Sequence, residues 1–187
     1  MPQAFAKLVS LLAAPLLTVA VLPAAAQTPI NGPYYATPSW DQTLPAATRF
    51  VVLANLASQA VMDRETGLVW ERTPSTLRFA NQLPAGSFGG SYAQERCFDL
   101  EIGGRKGWRL PTVAELASLI DRTQSSPTLP VGHPFVIGAD SNFWSSTPYY
   151  NYPDASRTVN FQLGITGAAG GAVLLPVWCV RGGGDVR

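Results

Sequence analysis

Charge is what this 187-residue chain has least of: Asp, Glu, Lys and Arg make up 13% of it, against about 25% in ordinary soluble domains. The little charge present is balanced. With Lys7 set aside as part of an N-terminal export segment, the 13 basic residues become 12 and match the 12 acidic ones. Lys106 is then the only lysine, and the arginines lie scattered. Polyanion binding draws on several clustered cations, so nucleic acid and strongly sulfated glycans are poor ligands for this composition. Histidine is nearly absent as well. His133 stands alone before a proline, with no second His or Cys nearby to build a metal site or a general-base pair, so it reads as a surface or satisfied residue. Only two cysteines occur, Cys97 and Cys179, and they lack C-x-x-C spacing. In an exported chain an even count is most simply a disulfide, and a catalytic thiol or metal pair is the rival reading.

Apolar residues, glycine and proline are plentiful. Residues 1–26 have one early positive charge, an apolar run over 8–22 interrupted by Pro15, and Ala24-Ala25-Ala26 before Gln27. That is the form of a signal peptide with an A-x-A cleavage site, and the run falls short of the roughly 20 residues of a spanning helix. No cysteine follows the site, which argues against a lipid anchor. The sequence thus implies export to the periplasm, the cell surface or the medium, with no transmembrane segment after signal removal. Residues 27–47 hold Pro29, Pro33, Pro38 and Pro45 among aromatics and read as a linker or surface arm.

The domain proper is expected over 48–184, with 185–187 as a tail. Residues 50–53 give a short strand signal, and 60–63 with 67–70 flank Arg64-Glu65-Thr66 as a tight hairpin. Ser91-Tyr92-Ala93-Gln94 has the S-x-x-Q form of a capping box, predicting a helix to about Leu100 that contains Cys97. Thr112-Val113-Ala114-Glu115 predicts a second capped helix ending near Asp121, with Val113, Leu116, Leu119 and Ile120 at helical spacing. A long loop is expected to follow. Residues 143–147 and 158–163 read as strands, 164–171 as a tight or mobile Gly-rich loop, and 172–181 as a last strand carrying Cys179. Strands, two helices, a loop and strands again predict an α+β domain with helices packed on a twisted antiparallel sheet. A Cys97–Cys179 bridge would tie the first helix to the last strand.

Four short blocks in order carry a resemblance. They are Asp63-Arg64-Glu65-Thr66-Gly67-Leu68-Val69-Trp70, then Gly107-Trp108-Arg109-Leu110-Pro111-Thr112 with Glu115-Leu116, then Trp144-Ser145-Ser146-Thr147, and Cys179-Val180-Arg181-Gly182-Gly183. Together they resemble the C-terminal domain of Legionella collagen-like protein and its bacterial relatives, over about residues 49–184. The resemblance implies a C-type-lectin-like fold related to that of formylglycine-generating enzymes, and a role in adhesion to host glycans. Two departures matter. Leu77-Arg78-Phe79-Ala80 and a Gly-rich insert at 86–90 stand where relatives often have a Trp, and no collagen-like repeat precedes the domain.

The motif residues have structural explanations. Trp70, Trp108 and Trp144 are candidates for the core, Arg109 for pairing with a carboxylate, and Thr112 and Glu115 for capping. Trp144-Ser145-Ser146-Thr147 lacks the G-x-S-x-G turn that exposes a nucleophilic serine. Asp140-Ser141-Asn142 is too short for a calcium loop and suits a turn. The candidate ligand-binding residues are Tyr149, Tyr150, Asn151, Tyr152 and Asp154, whose flat faces and hydrogen-bonding groups suit a sugar or a partner surface. The expectation is a non-catalytic binding module for a carbohydrate or surface ligand, with no cofactor and no metal. The alternative is a structural or interaction subunit of a cell-envelope assembly.

Overall fold

The computed structural model describes residues 44–81, 92–138, 142–150 and 152–183. The expected signal peptide, the arm up to residue 43, the Gly-rich insert, Ser91, the Asp140-Ser141 pair, Asn151 and the tail lie outside them.

The architecture is α+β, with antiparallel strands and short helices, as the sequence predicts. A single helical turn, α1 (Ala46–Arg49), leads into β1 (Phe50–Val52). The expected hairpin forms from β2 (Ala60–Asp63) and β3 (Val69–Glu71). These strands join β10 (Val180–Arg181) and β5 (Trp108–Arg109) in a five-stranded sheet of order β1-β2-β3-β10-β5. A small second sheet pairs β4 (Arg78–Phe79) with β9 (Leu175–Pro176). The third is a meander of β6 (Asn142–Pro148), β7 (Ala155–Asn160) and β8 (Ile165–Gly170).

Several boundaries differ from the sequence reading. The helix α2 (Ala93–Phe98) has Tyr92 at its N-cap, without a side-chain cap bond, and Ser91 of the expected S-x-x-Q box lies outside the described residues. The helix α3 (Val113–Ala117) stops short of Asp121. The strand expected over 158–163 ends at Asn160, because Asn160 Oδ1 accepts from Gln162 N (2.9 Å) and Leu163 N (3.0 Å) and folds the chain into a turn. Gly164 closes that turn with φ +66°, a value that a residue with a Cβ adopts at a cost. The expected loop over 164–171 is instead strand β8, which pairs with β7 along all six of its residues. Conversely, 172–181 is not one strand. Pro176 interrupts it, since proline cannot donate to a ladder, and Val177, Trp178 and Cys179 run between β9 and β10 as buried connecting chain.

Trp178 is the centre of the larger core cluster. Its ring meets those of Trp70, Phe135, Phe143 and Phe161 at centroid separations of 5.6, 5.0, 5.4 and 5.3 Å, mostly in the edge-to-face geometry that aromatic quadrupoles favour. Its indole N–H donates to Glu71 O at 2.7 Å. A second cluster surrounds the Cys97–Cys179 disulfide and holds Trp108, Trp144, Ala93 and Val177. The bridge links α2 to the residue before β10.

Candidate functional site

The motif blocks converge on one joint. Thr112 Oγ1 accepts from Glu115 N at 3.2 Å, and Glu115 Oε2 accepts from Thr112 N at 2.7 Å, so the predicted capping box is complete. Arg109 holds the same carboxylate with two donors, one of them at 2.8 Å to Oε2, and reaches Gly182 O at 2.9 Å. Thr147 Oγ1 accepts from Val113 N at 3.0 Å, and Ser146 N donates to Pro111 O. The Trp-Ser-Ser-Thr block therefore caps the helix that the Leu-Pro-Thr block starts. Gly183 sits at φ +74°, where an added Cβ would lie 2.9 Å from Arg109 Nη2 and 3.0 Å from Leu68 Cδ2. The glycine lets the C-terminal block close on the other two. Trp70, Trp108 and Trp144 are all buried, as the sequence implies.

The electrostatics of this joint agree with a structural role. Burial pushes the Glu115 carboxyl up, but the Arg109 and Thr112 bonds outweigh it, so its pKa is held below the ordinary value of 4.5. A carboxylate depressed in the folded state stabilises the fold above its unfolded pKa, and that contribution is lost as pH falls through the folded pKa. Glu115→Gln is therefore expected to flatten the loss of stability as pH falls below the ordinary carboxylate value of 4.5, read from urea unfolding over an acid pH series. Thr112→Ala, which removes the cap acceptor, is expected to cost about 1 kcal/mol.

A second charged centre escaped the sequence reading. Arg49 and Asp63 form a buried bidentate pair at 2.8 and 2.7 Å. Arg49 also reaches Glu65 Oε2 at 3.2 Å and donates to Ser118 O. The Asp63 carboxylate accepts from Glu65 N and Thr66 Oγ1 as well, so it organises the hairpin turn. The signal lay in Asp63-Arg64-Glu65-Thr66 itself: acidic side chains in a turn beside apolar strands, in a chain poor in charge.

The remaining candidates are accounted for within the fold. Ser145 is buried, and its hydroxyl donates to Arg157 O at 2.8 Å. His133 Nδ1 accepts from Phe135 N at 3.2 Å, and burial lowers its pKa, which keeps the ring neutral at pH 7. Among the described residues no group of three or more His, Cys, Asp or Glu is placed to hold a metal ion. A cavity of about 510 Å³ opens beside Glu71, with Arg72, Glu101 and Gln59 on its walls. Burial raises the Glu71 carboxyl although Arg96 pairs with it. Its polar groups serve the domain: Glu71 also accepts from Cys179 N, and Arg72 donates to Pro134 O and Ser58 O.

The loop between β6 and β7 differs in that most of its described side chains are exposed. Tyr150 is 96% exposed and Tyr152 63% exposed, and Asp154 is exposed too. Tyr149 is half-buried and stacks on Tyr152 at 5.8 Å with the rings 6° apart, while the Arg157 guanidinium lies 4.7 Å over the Tyr149 ring. Backbone bonds pin the loop: Tyr149 N to Ala155 O, Tyr152 N to Tyr149 O, and Ala155 N to Tyr152 O. Beside it runs a groove of about 420 Å³, walled by Tyr149, Tyr152, Pro153 and Asp154 and floored by Ala168 and Gly170 of β8. Of the predicted ligand residues, then, Tyr149, Tyr152 and Asp154 meet at one groove, Tyr150 projects into solvent, and Asn151 lies outside the described residues.

Two comparisons bear on these residues. The Lcl C-terminal domain family matches residues 59–181, a span that holds Asp63, Arg109, Thr112, Glu115, Thr147 and the groove residues but stops short of Arg49, Gly182 and Gly183. No curated protein matches the chain.

Proposed function

The chain belongs to the Lcl C-terminal domain family, and from that membership we propose that it is an exported, non-catalytic binding module for a carbohydrate or surface ligand, with a C-type-lectin-like fold. The observation that carries this reading is the aromatic groove. Tyr152 is exposed and stacks on the half-buried Tyr149, backbone bonds hold the chain that carries them, and the Asp154 carboxylate is adjacent. A pinned platform loses little entropy on binding. Export is supported by the signal-type segment at 1–26 and by the disulfide, which persists in oxidising compartments. The capping and ion-pair roles of Asp63, Arg109, Thr112 and Glu115 support the non-catalytic reading.

Glycan-array binding by the mature protein tests this proposal. Changing Tyr149, Tyr150 and Tyr152 together to Ala is expected to reduce the signal more than about tenfold, equivalent to about 1.4 kcal/mol. Co-purification with an envelope protein and no array signal would favour the structural-subunit alternative instead.

A further inference from the structure

The groove beside Tyr152 carries an inference that rests on the binding reading above and deepens it. We propose that its ligand is an uncharged pyranose ring, laid on the outer side of Tyr152 with hydroxyls turned to Asp154, and that the site selects against sugars bearing carboxylate or sulfate.

Arg157 holds its guanidinium 4.7 Å over the Tyr149 ring. Its side chain therefore braces the stack in a cation–π contact rather than extending to a ligand. Tyr149 in turn stacks on Tyr152 at 5.8 Å. Arg157, Tyr149 and Tyr152 are thus linked, and of the two stacked rings Tyr152 is the more exposed, at 63% against a half-buried Tyr149. A pyranose has an apolar face of C–H groups that suits such a ring. Asp154 is the only carboxylate among the groove's lining residues, and it is exposed. A carboxylate accepts hydroxyl hydrogens in strong, charge-assisted bonds. It repels an anionic substituent brought to the same rim.

The floor sets the size of the ligand. Ala168 and Gly170 stand opposite Arg157 and Ala155 in the β7–β8 ladder, and the single methyl of Ala168 and the bare backbone of Gly170 keep the space beside Tyr152 open. The volume of about 420 Å³ falls at the low end of ligand pockets, which run about 300–1,000 Å³. One or two sugar rings fill that space. The backbone bonds from Tyr149 N and Ala155 N fix the platform before any ligand arrives.

The test uses the mature, disulfide-bonded protein and paired methyl hexopyranosides of the gluco, galacto and manno series, each with its uronate counterpart. Binding is read by saturation-transfer NMR at low ionic strength. At least one neutral glycoside is expected to bind about tenfold tighter than its uronate. Tyr152→Ala should weaken that binding about tenfold, and Asp154→Lys, an exposed position, should bring the two sugars within about twofold. Uronate binding as tight as neutral binding, or a ratio that Asp154→Lys leaves unchanged, overturns the proposal. If both sugars bind equally and Tyr152→Ala removes both, the binding module stands and only the ligand class falls. If no sugar binds and the glycan array is silent as well, both readings fall together.

Discussion

Asp63→Ala is expected to lower the unfolding free energy by about 3–5 kcal/mol, a large part of the 5–15 kcal/mol that domains ordinarily possess. The reason is what the substitution leaves behind. Arg49 is 1% exposed, so without Asp63 its guanidinium stays buried with Glu65 and Ser118 O as its remaining partners. Glu65 N and the Thr66 hydroxyl lose their acceptor at the same time. The double variant Arg49→Met/Asp63→Ala removes the stranded charge and should recover part of the loss, so the two single costs should not add. It should not recover all of it, because the turn donors remain unpaired and the buried Glu65 carboxylate loses its Arg49 partner. Urea unfolding followed by tryptophan fluorescence measures all three variants. A cost below about 1 kcal/mol for Asp63→Ala would place this pair with weak surface ion pairs and remove it as the anchor of the hairpin.

That pair also shows which parts of the molecule the sequence made legible. Local signals survived. Thr112 and Glu115 announced their capping box because both partners lie within one helical turn, and the β2–β3 hairpin was readable because its turn residues sit between apolar runs. Interactions across distance left less trace. Arg49 and Asp63 are 14 residues apart, and neither shows by itself that it is buried. Strand β8 was invisible for a different reason. Ile165-Thr166-Gly167-Ala168-Ala169-Gly170 is mostly Gly and Ala, which have weak strand preference. It becomes a strand because β7 offers it a complete ladder. The same small residues open the groove, so the feature that hid the strand also shapes the candidate site. Trp178 lies on chain without regular structure, and only the tertiary fold shows it as the meeting point of four other aromatic rings. At the site itself, the aromatic loop was legible from composition, while the Arg157–Tyr149–Tyr152 stack was not, because Arg157 comes from the neighbouring strand.

Replacing both Cys97 and Cys179 by Ala is expected to cost about 2–5 kcal/mol. The bridge joins residues 82 apart, and the chain-entropy model assigns about 4.5 kcal/mol to a loop of that length. Both residues are fully buried in the cluster that holds Trp108 and Trp144, so lost packing adds to the entropic cost. The damage should begin at α2. A six-residue helix has no stability of its own, and once the bridge is gone α2 depends on Ala93, on the Arg96–Glu71 pair and on its contacts with β5. Amide exchange should therefore accelerate first over 93–98 and only later over β2 and β3. Thiol titration of the denatured, unreduced native protein should find no free thiol, and two thiols per chain would remove the premise. The groove is the sensitive readout for how far the damage spreads. Strand β6 feeds the 149–154 loop, and its Trp144 sits in the disulfide cluster with its indole N–H bonded to Phe79 O at 2.8 Å. If the loosening stays in α2, ligand binding by the double variant should match that of the native protein well below its melting temperature. If it reaches Trp144, binding should weaken together with exchange protection of β6, and the disulfide then supports the site as well as the fold.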